Sequence, residues 1–252
     1  MALLNFGGFE HGDMSEANST TGTLTLDEGP PLGAQVVRSG QYALRVDLFP
    51  GTGTYYVGSY SAAGQKGNLS RTAETWYIFY VRFERLPAAD SIIASVATSA
   101  GAIVASVNVD ASGVLTGVGA STSATAATLV TNVWYEVEMR VTSNNTSAVR
   151  VDGATEQTFT SNNATMGGLQ FGTETSSNYA AIFDDWGIDD TAFIAELRVV
   201  RLDPDGSGTY TAWTGTFADV DERPPDGDAT YIAISPGSVG NAETTALESA
   251  AM

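Results

Sequence analysis

Trp134-Tyr135-Glu136-Val137-Glu138-Met139-Arg140-Val141 is the stretch whose reading decides the fold. Tyr135, Val137, Met139 and Val141 share one parity, and Trp134, Glu136, Glu138 and Arg140 share the other. Successive side chains of a strand point to opposite faces, so a period of two marks a half-buried strand. A surface helix would instead repeat its apolar positions every three to four residues. Tyr42-Ala43-Leu44-Arg45-Val46-Asp47-Leu48 reads the same way, with Tyr42, Leu44, Val46 and Leu48 on one side. Trp76-Tyr77-Ile78-Phe79-Tyr80-Val81-Arg82-Phe83-Glu84 starts apolar on both faces, as a central strand does, and Pro87 closes it.

Outward from these three, shorter strands are expected at 34–38, 54–60, 92–97, 103–109, 114–116, 149–151, 179–183 and 196–202. Turn signals separate several of them: Gly101, Asp110-Ala111-Ser112-Gly113 and Asp152-Gly153. No stretch of comparable length carries a helical period. Many short strands at this spacing predict an all-β, two-sheet antiparallel sandwich.

The 252 residues are 43% hydrophobic, enough for a packed core. The 29 acidic and 11 basic residues give a net charge of −18, and Lys66 is the only lysine. So acidic a surface repels phosphate backbones and anionic lipids, which excludes nucleic acid as a partner. The absence of cysteine rules out disulfides and thiolate metal sites. Met1-Ala2-Leu3-Leu4-Asn5-Phe6 lacks the basic start of a signal peptide, and no apolar run approaches the roughly 18 residues of a membrane helix. A soluble chain without a membrane partner, assembled in a cytoplasm, is expected.

Composition shifts after Leu202. Residues 203–252 carry nine acidic residues against one basic one, Arg223. Asp203-Pro204-Asp205-Gly206-Ser207-Gly208 reads as a turn or linker, 230–234 as an edge strand and 242–252 as the start of a helix. The expected division is therefore a sandwich over 1–202 and a mostly irregular acidic extension over 203–252 that docks or oligomerises.

Five aromatic residues, Tyr55, Tyr56, Tyr60, Tyr179 and Trp186, are candidates for an exposed platform that stacks on sugar rings, while Trp76 and Trp134 are expected in the core. His11 is the only histidine and lies in a Gly-rich turn, so a zinc site built on several histidines is impossible. Gly51-Thr52-Gly53-Thr54 lacks the spacing and the lysine of a phosphate loop.

Several pieces occur in a fixed order: Gly8-Phe9-Glu10-His11-Gly12-Asp13, then Arg38-Ser39-Gly40-Gln41-Tyr42, then Trp76 to Phe83, Asn132-Val133-Trp134-Tyr135-Glu136, Val149-Arg150-Val151-Asp152-Gly153 and Phe183-Asp184-Asp185-Trp186-Gly187. This order resembles the laminin-G-like, concanavalin A-like jelly rolls common among structural proteins of tailed bacteriophages. Trp213-Thr214, Val220-Asp221-Glu222 and Pro224-Pro225-Asp226-Gly227 resemble the segment that follows such jelly rolls in phage minor structural proteins.

The resemblance implies a virion component: a capsid decoration, a head spike, or part of a tail or fibre. Its partners would be other virion proteins and further copies of itself, a homo-oligomer such as a trimer on a symmetry axis. It also implies a structural Ca²⁺ ion held by Glu10, Asp13, the carbonyls of Ser39 or Gly40, and one of Asp184 and Asp185. Strand neighbours face opposite sides, so only one of those two aspartates is expected to reach it. Jelly-roll glucanases carry a Glu-x-Asp-x-x-Glu strand that is missing here. Glu136 and Glu138 share a face about 6.6–6.8 Å apart along the strand, between the retaining and inverting spacings of glycosidases. Alternating Glu and Val is read as a solvated outer face, and the chain as non-enzymatic. The alternative is a carbohydrate-binding module for host-surface glycans, with a jelly-roll glycoside hydrolase ranked last.

Overall fold

The computed structural model describes residues 3–8, 19–21, 24–28, 37–39, 42–48, 56–58, 72–98, 100–172, 178–194, 197, 204–211 and 243–247. Every described element is a strand. They are β1 (Leu3–Gly7), β2 (Ser19–Thr21), β3 (Leu24–Glu28), β4 (Tyr42–Leu48), β5 (Tyr56–Gly58), β6 (Thr75–Arg85), β7 (Ser91–Ala97), β8 (Ile103–Val109) and β9 (Val114–Val118). There follow β10 (Ala127–Thr128), β11 (Trp134–Val141), β12 (Thr146–Val151), β13 (Gln157–Thr160), β14 (Gly168–Phe171), β15 (Tyr179–Asp189), β16 (Pro204–Thr211) and β17 (Glu243–Leu247).

Two antiparallel sheets form the sandwich. The first runs β13-β12-β11-β6-β15-β4-β3, with β1 also paired to β15. The second runs β10-β9-β8-β7-β14-β5-β2. The apolar reading of 76–84 is explained by position, since β6 lies between β11 and β15. Inward parity then fills the space between the sheets. Phe79, Phe83 and Phe183 of the first sheet meet Phe171 of the second, and all four are buried. Phe79 meets Phe171 edge-on at 5.4 Å between ring centroids, and Phe171 stacks on Phe183 at 4.8 Å. Such pairs add to the burial of large apolar rings.

The turns follow the sequence signals. In Asp110–Gly113 the Gly113 N–H donates to the Asp110 carbonyl at 3.0 Å, with Gly113 at φ +81°. A Cβ there would stand 2.2 Å from the Leu129 carbonyl oxygen, so only glycine fits. Asp152 and Gly153 both have positive φ, 50° and 66°, as the tight turn between β12 and β13 requires.

Some expectations are corrected. Val37 and Arg38 are not in a strand, and 34–36 lie outside the described residues. The strand expected at 179–183 continues to Asp189. Beyond the sandwich, 204–208 belongs to β16, which pairs with β17 in a two-stranded ribbon. A ribbon therefore stands where a linker and the start of a helix were read; Thr and Ser along 204–211 and 243–247 suit extended backbone. The segments expected at 196–202 and 230–234 lie outside the described residues, apart from Leu197.

Phe79→Ala is expected to lower unfolding free energy by about 3–5 kcal/mol, the cost of emptying a fully buried ring site. Urea denaturation read by tryptophan fluorescence measures it; a loss below about 1 kcal/mol would contradict a single core shared by both sheets.

Candidate functional site

The strand β15 sets the site. On one side it pairs with β6; on the other, β4 covers Tyr179–Phe183 and β1 covers Trp186–Asp189. Asp184 and Asp185 fall in the gap between β4 and β1. The pairing with β6 jumps from Asp184↔Tyr80 to Gly187↔Ile78, a bulge, and Asp185 takes φ +41°. The extra residue breaks the alternation. Both carboxylates therefore reach the same turn, Arg38-Ser39, and the expectation that only one could do so is corrected.

Asp184 Oδ2 accepts the backbone N–H of Arg38 at 2.8 Å and of Ser39 at 3.3 Å, while Oδ1 accepts that of Asp185 at 2.8 Å. The Arg38 guanidinium donates to Asp185 Oδ2 at 2.5 Å and to the Leu197 carbonyl at 2.7 Å. Ser39 Oγ donates to both Asp185 oxygens at 2.7 and 2.8 Å. Burial, reinforced by the Asp185 charge beside it, pushes the Asp184 carboxyl up to about 8 against the pull of its three N–H donors.

This arrangement bears on the expected ion. Calcium takes six to eight oxygens. Around Asp184 and Asp185 the described partners are N–H and O–H donors and a guanidinium, which point hydrogens at the carboxylates. The cation in contact with them is Arg38, so the described set does not fit a calcium ion. Among the described residues no group of three or more His, Cys, Asp or Glu is placed to hold a metal. Glu10, Asp13 and Gly40 lie outside the described residues, as does His11.

From Asp185, Arg38 crosses the outer face of the first sheet and lies over the Tyr80 ring, 3.3 Å from its centroid. The Tyr80 hydroxyl donates to Glu136 Oε2. Burial and this bond both hold the Tyr80 phenol above its ordinary range. Next to Glu136, the Asp152 side chain accepts the Glu136 backbone N–H at 2.9 Å, and the Asp152 N–H returns to the Glu136 carbonyl, also at 2.9 Å. Arg38, Tyr80, Trp134, Glu136, Asp152 and Gly153 thus line an open cleft of about 440 Å³.

Glu138, two residues along, is not solvated as the alternation suggested. It is fully buried, and Arg150 grips it with two bonds of 2.5 and 3.0 Å from the strand opposite. Phe193 covers Arg150 at 3.9 Å. The covering segment comes close because of Gly187: a Cβ there would stand 2.9 Å from Ile194 and 3.0 Å from Leu197. Burial raises the Glu138 carboxyl while Arg150 opposes the rise.

The expected aromatic platform is not assembled. Tyr179 is fully buried and Trp186 is 5% exposed, because both point inward along β15. Tyr56 lies in β5, while Tyr55 and Tyr60 lie outside the described residues. Conversely Trp76 and Trp134, expected in the core, are only half-buried, and Trp134 lines the cleft. The signal for Trp134 was its parity with Glu136.

Three solved structures share the architecture. The cellulose induced protein Cip1 aligns over 76% of this chain and 99% of its own, at 14% identity and a TM-score of 0.56. The T. cruzi calreticulin globular domain aligns over 76% of this chain and 89% of its own, at 9% identity and 0.49. A sialidase aligns over 70% of this chain, at 12% identity and 0.46, and this match spans only 19% of the sialidase. No protein-family model matches the sequence, and no curated protein matches it. The chain is a two-sheet jelly-roll-like sandwich of the concanavalin A-like kind. At such identities the likeness shows fold and nothing of activity.

A carboxyl whose folded pKa is raised stabilises the fold fully below its unfolded value, about 3.9, and that stabilisation fades as pH rises through about 8. Asp184→Asn removes this titration. The stability difference between the natural protein and the variant is expected to shift steadily toward the variant from pH 5 to pH 8, read by urea unfolding. A shift the other way would mean that the three N–H donors hold Asp184 as an anion.

Proposed function

We propose that this chain is a non-catalytic recognition and structural module of a tailed-phage particle, and that the outer-face cleft is its glycan-binding site. The observation that carries the glycan reading is the cleft itself. A half-buried indole stands beside two carboxylates and a tyrosine, with the Asp152-Gly153 turn forming one wall. Sugar sites pair a flat apolar surface with a few fixed polar groups, and the volume lies in the roughly 300–1,000 Å³ range of small-ligand sites.

The non-catalytic reading is supported by Glu138. A glycosidase needs two carboxyl groups flanking the substrate, and Glu138 is sealed against Arg150. Its neighbour Glu136 is tied to Tyr80. The virion reading is supported by the ordered run of motifs from Gly8 to Gly187, which resembles phage jelly rolls. A rigid sandwich would serve as the body of a decoration, spike or fibre component, with the acidic 203–252 segment as its docking or oligomerisation element.

A glycan array is expected to show saturable binding that Trp134→Ala weakens at least tenfold, about the effect of losing one stacked ring. Glu138→Gln, outside the cleft, is expected to leave binding in place. A flat array removes the glycan reading. Separately, the protein is expected in purified particles at fixed stoichiometry, measured by quantitative mass spectrometry; its absence removes the virion reading.

A further inference from the structure

We propose that the outer-face cleft selects cationic amino sugars, rings of the glucosamine type with a free ammonium, over neutral and anionic glycans. This rests on the reading of the cleft as a glycan site and names the ligand class it takes.

The argument starts from where the charges point. The cleft is lined by two carboxylates, Glu136 and Asp152, and one cation, Arg38. The cation is committed elsewhere: its guanidinium binds Asp185 at 2.5 Å and the Leu197 carbonyl at 2.7 Å, and its plane covers Tyr80. Its side chain is 14% exposed. The carboxylates are each engaged on one side only. Glu136 Oε2 takes the Tyr80 hydroxyl, and Asp152 Oδ1 takes the Glu136 N–H. Glu136 Oε1 and Asp152 Oδ2 remain to accept from a ligand, and Asp152 stands on an exposed turn.

An incoming group therefore meets acceptors and negative charge. An ammonium carries three donors and no acceptor, and suits two convergent carboxylate oxygens. A uronate or sulfated ring would have to displace Arg38 from Asp185, leaving a fully buried carboxylate unpaired. The −18 net charge of the chain adds long-range repulsion of polyanions. Trp134 favours a ring over an extended basic side chain, because a sugar presents a flat C–H face to the indole while its ammonium reaches the carboxylates.

Titration calorimetry of the full chain tests this with three tetramers: de-N-acetylated glucosamine, N-acetylglucosamine and glucose. The glucosamine tetramer is expected to bind at least tenfold tighter than the other two at low salt, and the margin to shrink as salt is raised, as for any charge-dependent contact. Asp152→Asn keeps the acceptor for the Glu136 N–H and suits the positive φ, so it folds; it is expected to erase the margin, and Glu136→Gln likewise. Equal binding of all three tetramers overturns the amino-sugar inference and leaves the glycan reading standing. Binding of a tetralysine peptide with none of the sugars overturns both in favour of a basic peptide. No binding by any probe overturns both outright.

Discussion

Strand β15 has three partners, and everything else in the first sheet is positioned by that fact. One of its edges is covered by β6 throughout; the other is divided between β4 and β1. Inward residues on either side of the division, Phe183 and Trp186, are both in the core although they are three positions apart. Only a bulge reconciles that spacing with an alternating strand. The bulge in turn places two aspartates where no strand pairs, and the Arg38-Ser39 turn supplies the missing donors. A backbone irregularity needed for core packing thus fixes the guanidinium that roofs Tyr80 and shapes the cleft.

The polar chemistry of the outer face is layered. Nearest the bulge, carboxylates are buried and held by N–H groups and Arg38. Glu138 is buried and held by Arg150. Farther out, Glu136 and Asp152 retain access to solvent. Burying a carboxylate without a partner is costly, whereas a paired one tolerates burial, so burial and pairing fall together along this gradient. The segment through Phe193, Ile194 and Leu197 draws the boundary, because it closes over Arg150 and Gly187.

Strand parity and turn chemistry were legible in the sequence because they are local. The 103–109 and 134–141 strands fall where periodicity put them, and Asp152-Gly153 makes its turn. What was not legible depended on layers that parity does not count. Outward-facing Glu138 is buried because a later segment covers its face. Tyr179 and Trp186 were read as exposed because their strand was thought to end at 183, and a bulge at 185 flips the parity of everything after it. Ala242-to-Met252 composition favours a helix, yet 243–247 pairs with 204–211, a long-range choice that propensity cannot anticipate.

Leu3 of β1 stands opposite Asp189 of β15. The polypeptide consequently enters and leaves the sandwich side by side, at one end of the same sheet. Such geometry makes a body that can be spliced between two flanking segments without forcing them apart. Evolution could move it as a cassette among longer chains, each host keeping its own path while acquiring the same outer face.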